Sequence, residues 1–217
     1  MRKFCILLTV MTALVFITAC HAEEATGPQL FEEEYEILNG QTTMDGEHTY
    51  SVIDVPSENR VEYADLAQIQ ELLATGTGVI YFGFPECPWC RTLVPVLFEA
   101  TAAAGYEGPV YYSNFLSERD KLKLDDSGKI VVEQEGTEAY QQLVATLYDW
   151  LGPYNGLNDD SIKRIYFPTT VFVRNGQIVD VHLVTVESQE SGYDPLTDEQ
   201  HAELLSTLTT DIQSIME

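Results

Sequence analysis

The chain has 217 residues, 45% of them apolar, enough to bury a core of ordinary domain size. Its 35 acidic residues outweigh 11 basic ones, and the net charge of −24 excludes binding to nucleic-acid phosphates and repels an anionic membrane surface. Whatever holds such a chain at a membrane must be covalent or a spanning helix.

The N-terminus supplies a candidate. Arg2 and Lys3 precede the apolar run Phe4 to Phe16, which together read as the charged and apolar regions of a secretory signal. The apolar stretch ends at Ala19, short of the roughly 20 residues a helix needs to cross hydrocarbon. Ile17-Thr18-Ala19-Cys20 then resembles a bacterial lipobox, with small side chains for a peptidase pocket and a thiol as nucleophile for diacylglyceryl transfer. Residues 1–19 are therefore expected to be a lipoprotein signal peptide and Cys20 the lipid attachment. An ordinary signal, or an uncleaved anchor with an incidental Cys20, is the alternative. Cleavage before Cys20 removes Cys5 and leaves Cys87 and Cys90 as the only free thiols, with no disulfide framework around them.

Residues 20–47 are rich in Glu and Asp and punctuated by Gly27-Pro28, Asn39-Gly40 and Asp45-Gly46. They read as a solvated tether, with a short ordered piece around Phe31 to Leu38. A domain is expected over 48–217. His48 to Val55 alternates like an edge strand. Asp65 to Thr75 carries Leu66, Ile69, Leu72 and Leu73 at helical spacing, stopped by Gly76 and Gly78. Val79 to Phe84 is the continuous apolar run of a buried central strand. Arg91 to Ala104 reads as a helix ended by Gly105, and Val110 to Phe115 as another strand.

Residues 116–165 form an enlargement with a short strand at Ile130 to Val132 and a helix from Thr137 to Trp150. Six of the 11 basic residues fall there: Arg119, Lys121, Lys123, Lys129, Lys163 and Arg164. Thr169 to Val173 and Gln177 to Val184 flank Arg174-Asn175-Gly176, a strong hairpin signal. Asp198 to Met216 has the spacing of an amphipathic C-terminal helix.

Cys87-Pro88-Trp89-Cys90 stands between the apolar strand and the helix. This spacing lets two thiols close a reversible disulfide within one turn. The helix N-terminus lends positive potential to the first sulfur, lowering its pKa and supplying a thiolate. Pro88 fits the first helical position, where its missing N–H is not needed. Arg91 adds a cation, and Glu86 opposes it. A zinc site would need further ligands, and His21, His48, His182 and His201 stand at no ligand spacing from the pair. The reading calls for no metal and no cofactor.

The segment Val79-Ile-Tyr-Phe-Gly-Phe-Pro-Glu-Cys87-Pro-Trp-Cys90-Arg91 resembles the active-site strand, turn and helix of the thioredoxin superfamily. Pro95 matches the proline that kinks that family's helix, and a mid-helix proline is otherwise costly. Phe167-Pro168-Thr169 and the hairpin after it resemble the family's cis-proline loop. The resemblance implies an α/β, thioredoxin-like three-layer fold, a central mixed sheet flanked by helices, with a helical enlargement before the cis-proline. It implies Cys87 as nucleophile, Cys90 as resolving thiol, and Pro168 and Phe167 as the loop that binds substrate backbone, with Trp89 in apolar contact. Pro88 and Arg91 support the pair. Tyr81 stands where the family places a buried acid, so that role is unfilled or met otherwise. Among exported relatives the motif is most similar to the bacteriocin transport accessory proteins, which implies a bacterial, Gram-positive-type lipoprotein.

Two functions follow as expectations. One is a membrane-tethered thiol–disulfide oxidoreductase, facing the extracytoplasmic side and acting with an unidentified redox partner on exported proteins or peptides. The other is an accessory module that holds a peptide or transporter, with redox turnover incidental; its acidic surface would attract a cationic peptide.

Overall fold

The computed structural model describes residues 25–217. Cys5, Cys20 and the expected signal peptide 1–19 lie outside the described residues. In chain order the elements are α1 (Gly27–Glu36), β1 (Val61–Tyr63), α2 (Leu66–Thr75), β2 (Gly78–Phe82), α3 (Pro88–Ala104) and β3 (Val110–Ser113). Then come β4 (Lys121–Leu124), β5 (Ile130–Gln134), α4 (Glu138–Leu147), β6 (Thr169–Arg174), β7 (Gln177–Leu183) and α5 (Asp198–Met216).

Five strands make one mixed sheet in the order β1-β3-β2-β6-β7. β1 and β2 run parallel to β3, while β6 is antiparallel to β2 and β7 to β6. β2 and nearly all of β6 are buried, which explains their unbroken apolar sequence: a central strand covered on both faces has no polar side. Helices flank the sheet, α3 packing against α5 and α2 against α4. Three helix starts carry an oxygen cap: Asp65 accepts the Gln68 N–H at 2.8 Å, and Thr137 and Thr197 accept those of Tyr140 and Gln200 at 3.2 Å. The β6–β7 turn at Asn175-Gly176 takes the two positive φ angles, 51° and 73°, of a tight hairpin.

Three expectations need correction. First, 27–47 is no free tether. Phe31 and Tyr35, one helical turn apart in α1, are fully buried in the core, while Glu32, Glu33 and Glu36 fall on its other sides. The acidic residues solvate a helix whose two aromatics anchor it. Second, His48 to Val55 forms no named strand; Thr42 and Thr49 make a lone bridge. Here the segment buries Tyr50, Ile53 and Val55; His48 and Tyr50 pair by backbone hydrogen bonds with residues 40–43, and beyond them side chains satisfy the backbone. The Ile53 N–H goes to Asn39 Oδ1 at 3.1 Å and that of Val55 to Glu36 Oε1 at 2.7 Å. The sheet's edge is β1 instead. Third, the enlargement is less helical than expected: the short strand at Ile130 to Val132 is present as β5, and it has a partner, β4, that the sequence reading did not place. Alternating Lys121-Leu-Lys-Leu pairs with 130–134 in a separate two-stranded sheet, closed by the Lys123–Glu133 ion pair.

Candidate functional site

The sheet register assembles the site. Phe82, the last residue of β2, pairs with Thr169, the first of β6. The chain leaving β2 toward Cys87 and the chain entering β6 through Pro168 therefore emerge side by side. The Phe167–Pro168 bond is cis, and the Phe167 carbonyl accepts the Cys87 thiol at 3.7 Å. Residues 80 positions apart thus meet across two hydrogen-bonded strands.

Cys87 is the N-cap of α3, with Pro88 in the first turn. Its sulfur accepts the Cys90 N–H at 3.3 Å, so one otherwise orphaned helix donor is spent on the thiol. The two cysteines are free and approach within 3.0 Å. Hydrogen bonding from the Cys90 thiol holds Cys87 below the usual thiol pKa, against the opposing effect of burial. The N–H groups of Cys90 and Trp89 and the charge of Arg119 add to the lowering. Cys90 is pushed well above the usual value, first by burial and then by giving its hydrogen to Cys87. One sulfur is prepared as a thiolate and the other kept as a thiol. That asymmetry is what a nucleophile and a resolving group need.

Behind Cys90 lies a tyrosine cluster. The hydroxyls of Tyr81 and Tyr35 meet at 2.9 Å in the core, and Tyr81 reaches Cys90 closely enough to offset part of the burial effect there. Gly83 makes room for this: a Cβ on it would lie 2.2 Å from the Tyr81 hydroxyl. The position where the resemblance expects an acid is thus filled by a phenol with its own buried partner. On the other flank, the backbone at Gly192 presses on the motif, where a Cβ would stand 2.7 Å from the Trp89 nitrogen. Trp89 is accordingly half-buried, and Tyr193 beside it stacks on His48 at 3.9 Å.

Phe167 turns its ring inward, 4.8 Å from Phe115 and 5.3 Å from Phe84, and leaves its carbonyl at the thiol. Arg91 does not serve the thiol as the sequence suggests. It is 1% exposed and donates to the carbonyls of Tyr35, Ser51 and Pro85 and to Asn39, with no hydrogen bond to Cys87. The cation felt by Cys87 is Arg119, in the loop before β4. Its guanidinium sits 5.0 Å from the Phe167 ring centroid. Nothing local in the sequence marks Arg119, beyond its place in the basic-rich enlargement, because only the fold carries that loop over the site. Tyr35 was hidden in the same way, inside an acidic run.

Among the described residues, no group of three or more His, Cys, Asp or Glu gathers as a metal site, and no helix is long and apolar enough to cross a membrane. No family model matches the chain, and no curated protein or solved structure matches it.

Proposed function

We propose that the chain is a thioredoxin-like thiol–disulfide oxidoreductase of exported proteins or peptides, similar to the bacteriocin transport accessory proteins and tethered outside the cytoplasmic membrane through Cys20. The observation that carries the reading is the unequal treatment of two adjacent thiols. Cys87 caps a helix and faces the Phe167 carbonyl, while Cys90 is fully buried beneath it. The strand order, with the motif on the central strand and Pro168 next to it, supports the same reading.

In the reducing direction, the Cys87 thiolate attacks one sulfur of a substrate disulfide. A mixed disulfide forms and one substrate thiolate leaves. Cys90 then gives up its proton and attacks the Cys87 sulfur, closing the Cys87–Cys90 disulfide and releasing the second substrate thiolate. Two electrons pass to the substrate, and a redox partner must return them. In the oxidising direction the same steps run backward. Pro168 and Phe167 would present backbone to the substrate, with Trp89 in apolar contact.

The test is trapping. Cys90→Ser should accumulate mixed disulfides with exported proteins, and Cys87→Ser should give few or none. Equal trapping by both variants would contradict the division of labour. One observation favours the accessory-module reading: Cys87 is only 5% exposed. That reading expects insulin reduction by wild-type protein to stay at background, whereas the oxidoreductase should show turnover that Cys87→Ala abolishes.

The tether has its own test. Wild-type protein should incorporate labelled fatty acid and partition into detergent, and Cys20→Ala should do neither. Membrane retention of an unprocessed Cys20→Ala chain would make residues 4–19 the anchor instead.

A further inference from the structure

The surface around Cys87 departs from the charge of the rest of the chain. With 35 acidic residues against 11 basic ones, most faces of this protein must be anionic. Yet the enlargement brings two guanidiniums to this end of the sheet, one from each of its termini. Arg119 lies over Phe167, whose carbonyl meets the Cys87 thiol. Arg164 is held against Tyr154 at 4.3 Å and Tyr166 at 5.9 Å, and donates to the Asp120 carbonyl at 3.2 Å.

Neither cation has an anionic partner at ion-pair distance, although the Asp120 charge is felt by Arg119 and is itself favoured by both guanidiniums from further off. Among the described residues the ion pairs are Lys123–Glu133 and His201–Glu99, so no carboxylate lies within 4.0 Å of either guanidinium. The Arg119 guanidinium makes no hydrogen bond among the described residues, although its backbone carbonyl accepts from Gln134 Nε2 at 2.7 Å, and the Arg164 Nε is buried without an acceptor. Asp120 is the nearest acid, and its buried Oδ1 is itself unpartnered. Each guanidinium is half-buried, and the Arg119 pKa is lowered first by burial and then by the neighbouring Arg164 charge. Aromatic faces hold the planes, and while Arg164 spends one donor on the Asp120 carbonyl, the N–H edge of Arg119 stays free. Donors left unspent, in a half-dry place beside a reactive sulfur, match a ligand that arrives with the substrate.

We propose that Arg119, with Arg164 behind it, forms a carboxylate-binding subsite that selects polypeptide disulfides carrying an acidic side chain next to the attacked cysteine. This rests on the thiol-exchange reading above and adds its substrate class. It also opposes the whole-chain field, which attracts cationic peptides. A local preference for acid must therefore run against the long-range trend, and the two have opposite signs in one experiment.

The probe is a set of short peptides, each with a single cysteine as its 2-thiopyridyl disulfide and with Glu, Gln or Lys beside it. The full chain bearing Cys90→Ser is used with Cys5 and Cys20 also replaced by Ser, so that Cys87 is its one thiol and exchange stops after one step. The Cys87 thiolate attacks the peptide sulfur, a mixed disulfide forms, and pyridine-2-thiolate leaves and is protonated to the absorbing thione. The second-order rate constant should fall in the order Glu, Gln, Lys, with Glu over Lys by about tenfold at low salt. Adding Arg119→Ala should slow all three peptides, since Cys87 loses its cation, and should also bring the Glu/Lys ratio to about one or below. Adding Arg119→Lys instead keeps the charge without the fork and should retain part of the ratio.

A loss of rate with the ratio unchanged would mean that Arg119 only tunes the thiol, and would overturn the subsite. So would a parent that favours the Lys peptide. If no peptide releases thione from the folded chain, while the urea-unfolded chain does release it, the thiol-exchange reading itself fails and the subsite falls with it.

Discussion

Phe31→Ala is expected to destabilise the protein by about 3–5 kcal/mol, among the largest costs any single truncation here should carry. The ring is fully buried and sits at the centre of an aromatic cluster, 4.5 Å from Tyr35, 4.9 Å from Tyr112, 5.8 Å from Phe98 and 6.3 Å from Tyr81. It therefore joins α1 to α3 and to the two central parallel strands at once. Truncation forfeits the transfer of a whole ring and leaves a cavity that four other rings cannot collapse to fill. Urea unfolding should show the midpoint falling with little change in slope. Leu30→Ala, one residue away but 43% exposed, should fall within about 0.5 kcal/mol of wild type. If Phe31 belonged to a tether, both substitutions would be equally silent.

That contrast also shows where the sequence is legible. β2, the cysteine motif, α3, the β6–β7 hairpin and α5 could each be read locally, because each carries its own pattern: an apolar run, a proline at a helix start, an Asn-Gly turn, a stripe. α1 is legible only as a short ordered piece around Phe31 to Leu38, because two aromatics among several glutamates do not show that they are core until a sheet edge is placed beneath them. β4 reads as a polar segment, since Lys121-Leu-Lys-Leu gains its pairing only from β5. The site divides along the same line. Cys87 and Cys90 are three residues apart and announce themselves, and Pro168 follows from a motif. Arg119 and Tyr35 have no local signal, because what they touch lies far away in the chain. Arg91 shows the reverse failure: its adjacency to Cys90 suggested a charge acting on sulfur, but one residue along a helix turns a side chain by about a quarter turn or more, and Arg91 faces elsewhere.

Arg91→Ala is the second substitution expected to be severe, at about 3–5 kcal/mol. The guanidinium is buried with no carboxylate at ion-pair distance, and backbone carbonyls, an amide oxygen and a ring face balance most of its charge. Nη1 donates to the Tyr35 carbonyl at 2.7 Å and the Pro85 carbonyl at 3.3 Å. Nη2 donates to the Ser51 carbonyl and to Asn39 Oδ1, both at 2.6 Å, with Nε also on Ser51 at 3.2 Å and the Tyr50 ring 5.6 Å away. One side chain of α3 thus fastens α1, the segment after it and the turn before Cys87. Alanine would take this donor from the buried Tyr35 and Pro85 carbonyls, a cost that no repacking of apolar neighbours relieves. Arg91→Met would refill most of the volume and still lose the hydrogen bonds, so it should recover only part of the stability. Limited proteolysis should cut both variants between residues 37 and 60 under conditions where wild type is intact. The pH dependence of Cys87 alkylation gives the second readout. It should be nearly unmoved in Arg91→Met and shifted to higher pH in Arg119→Ala, because Arg119 is the cation that lowers the Cys87 pKa. Equal upward shifts in the two variants would make Arg91 a counter-charge of the thiol after all, and the separation of a structural arginine from a site arginine would not stand.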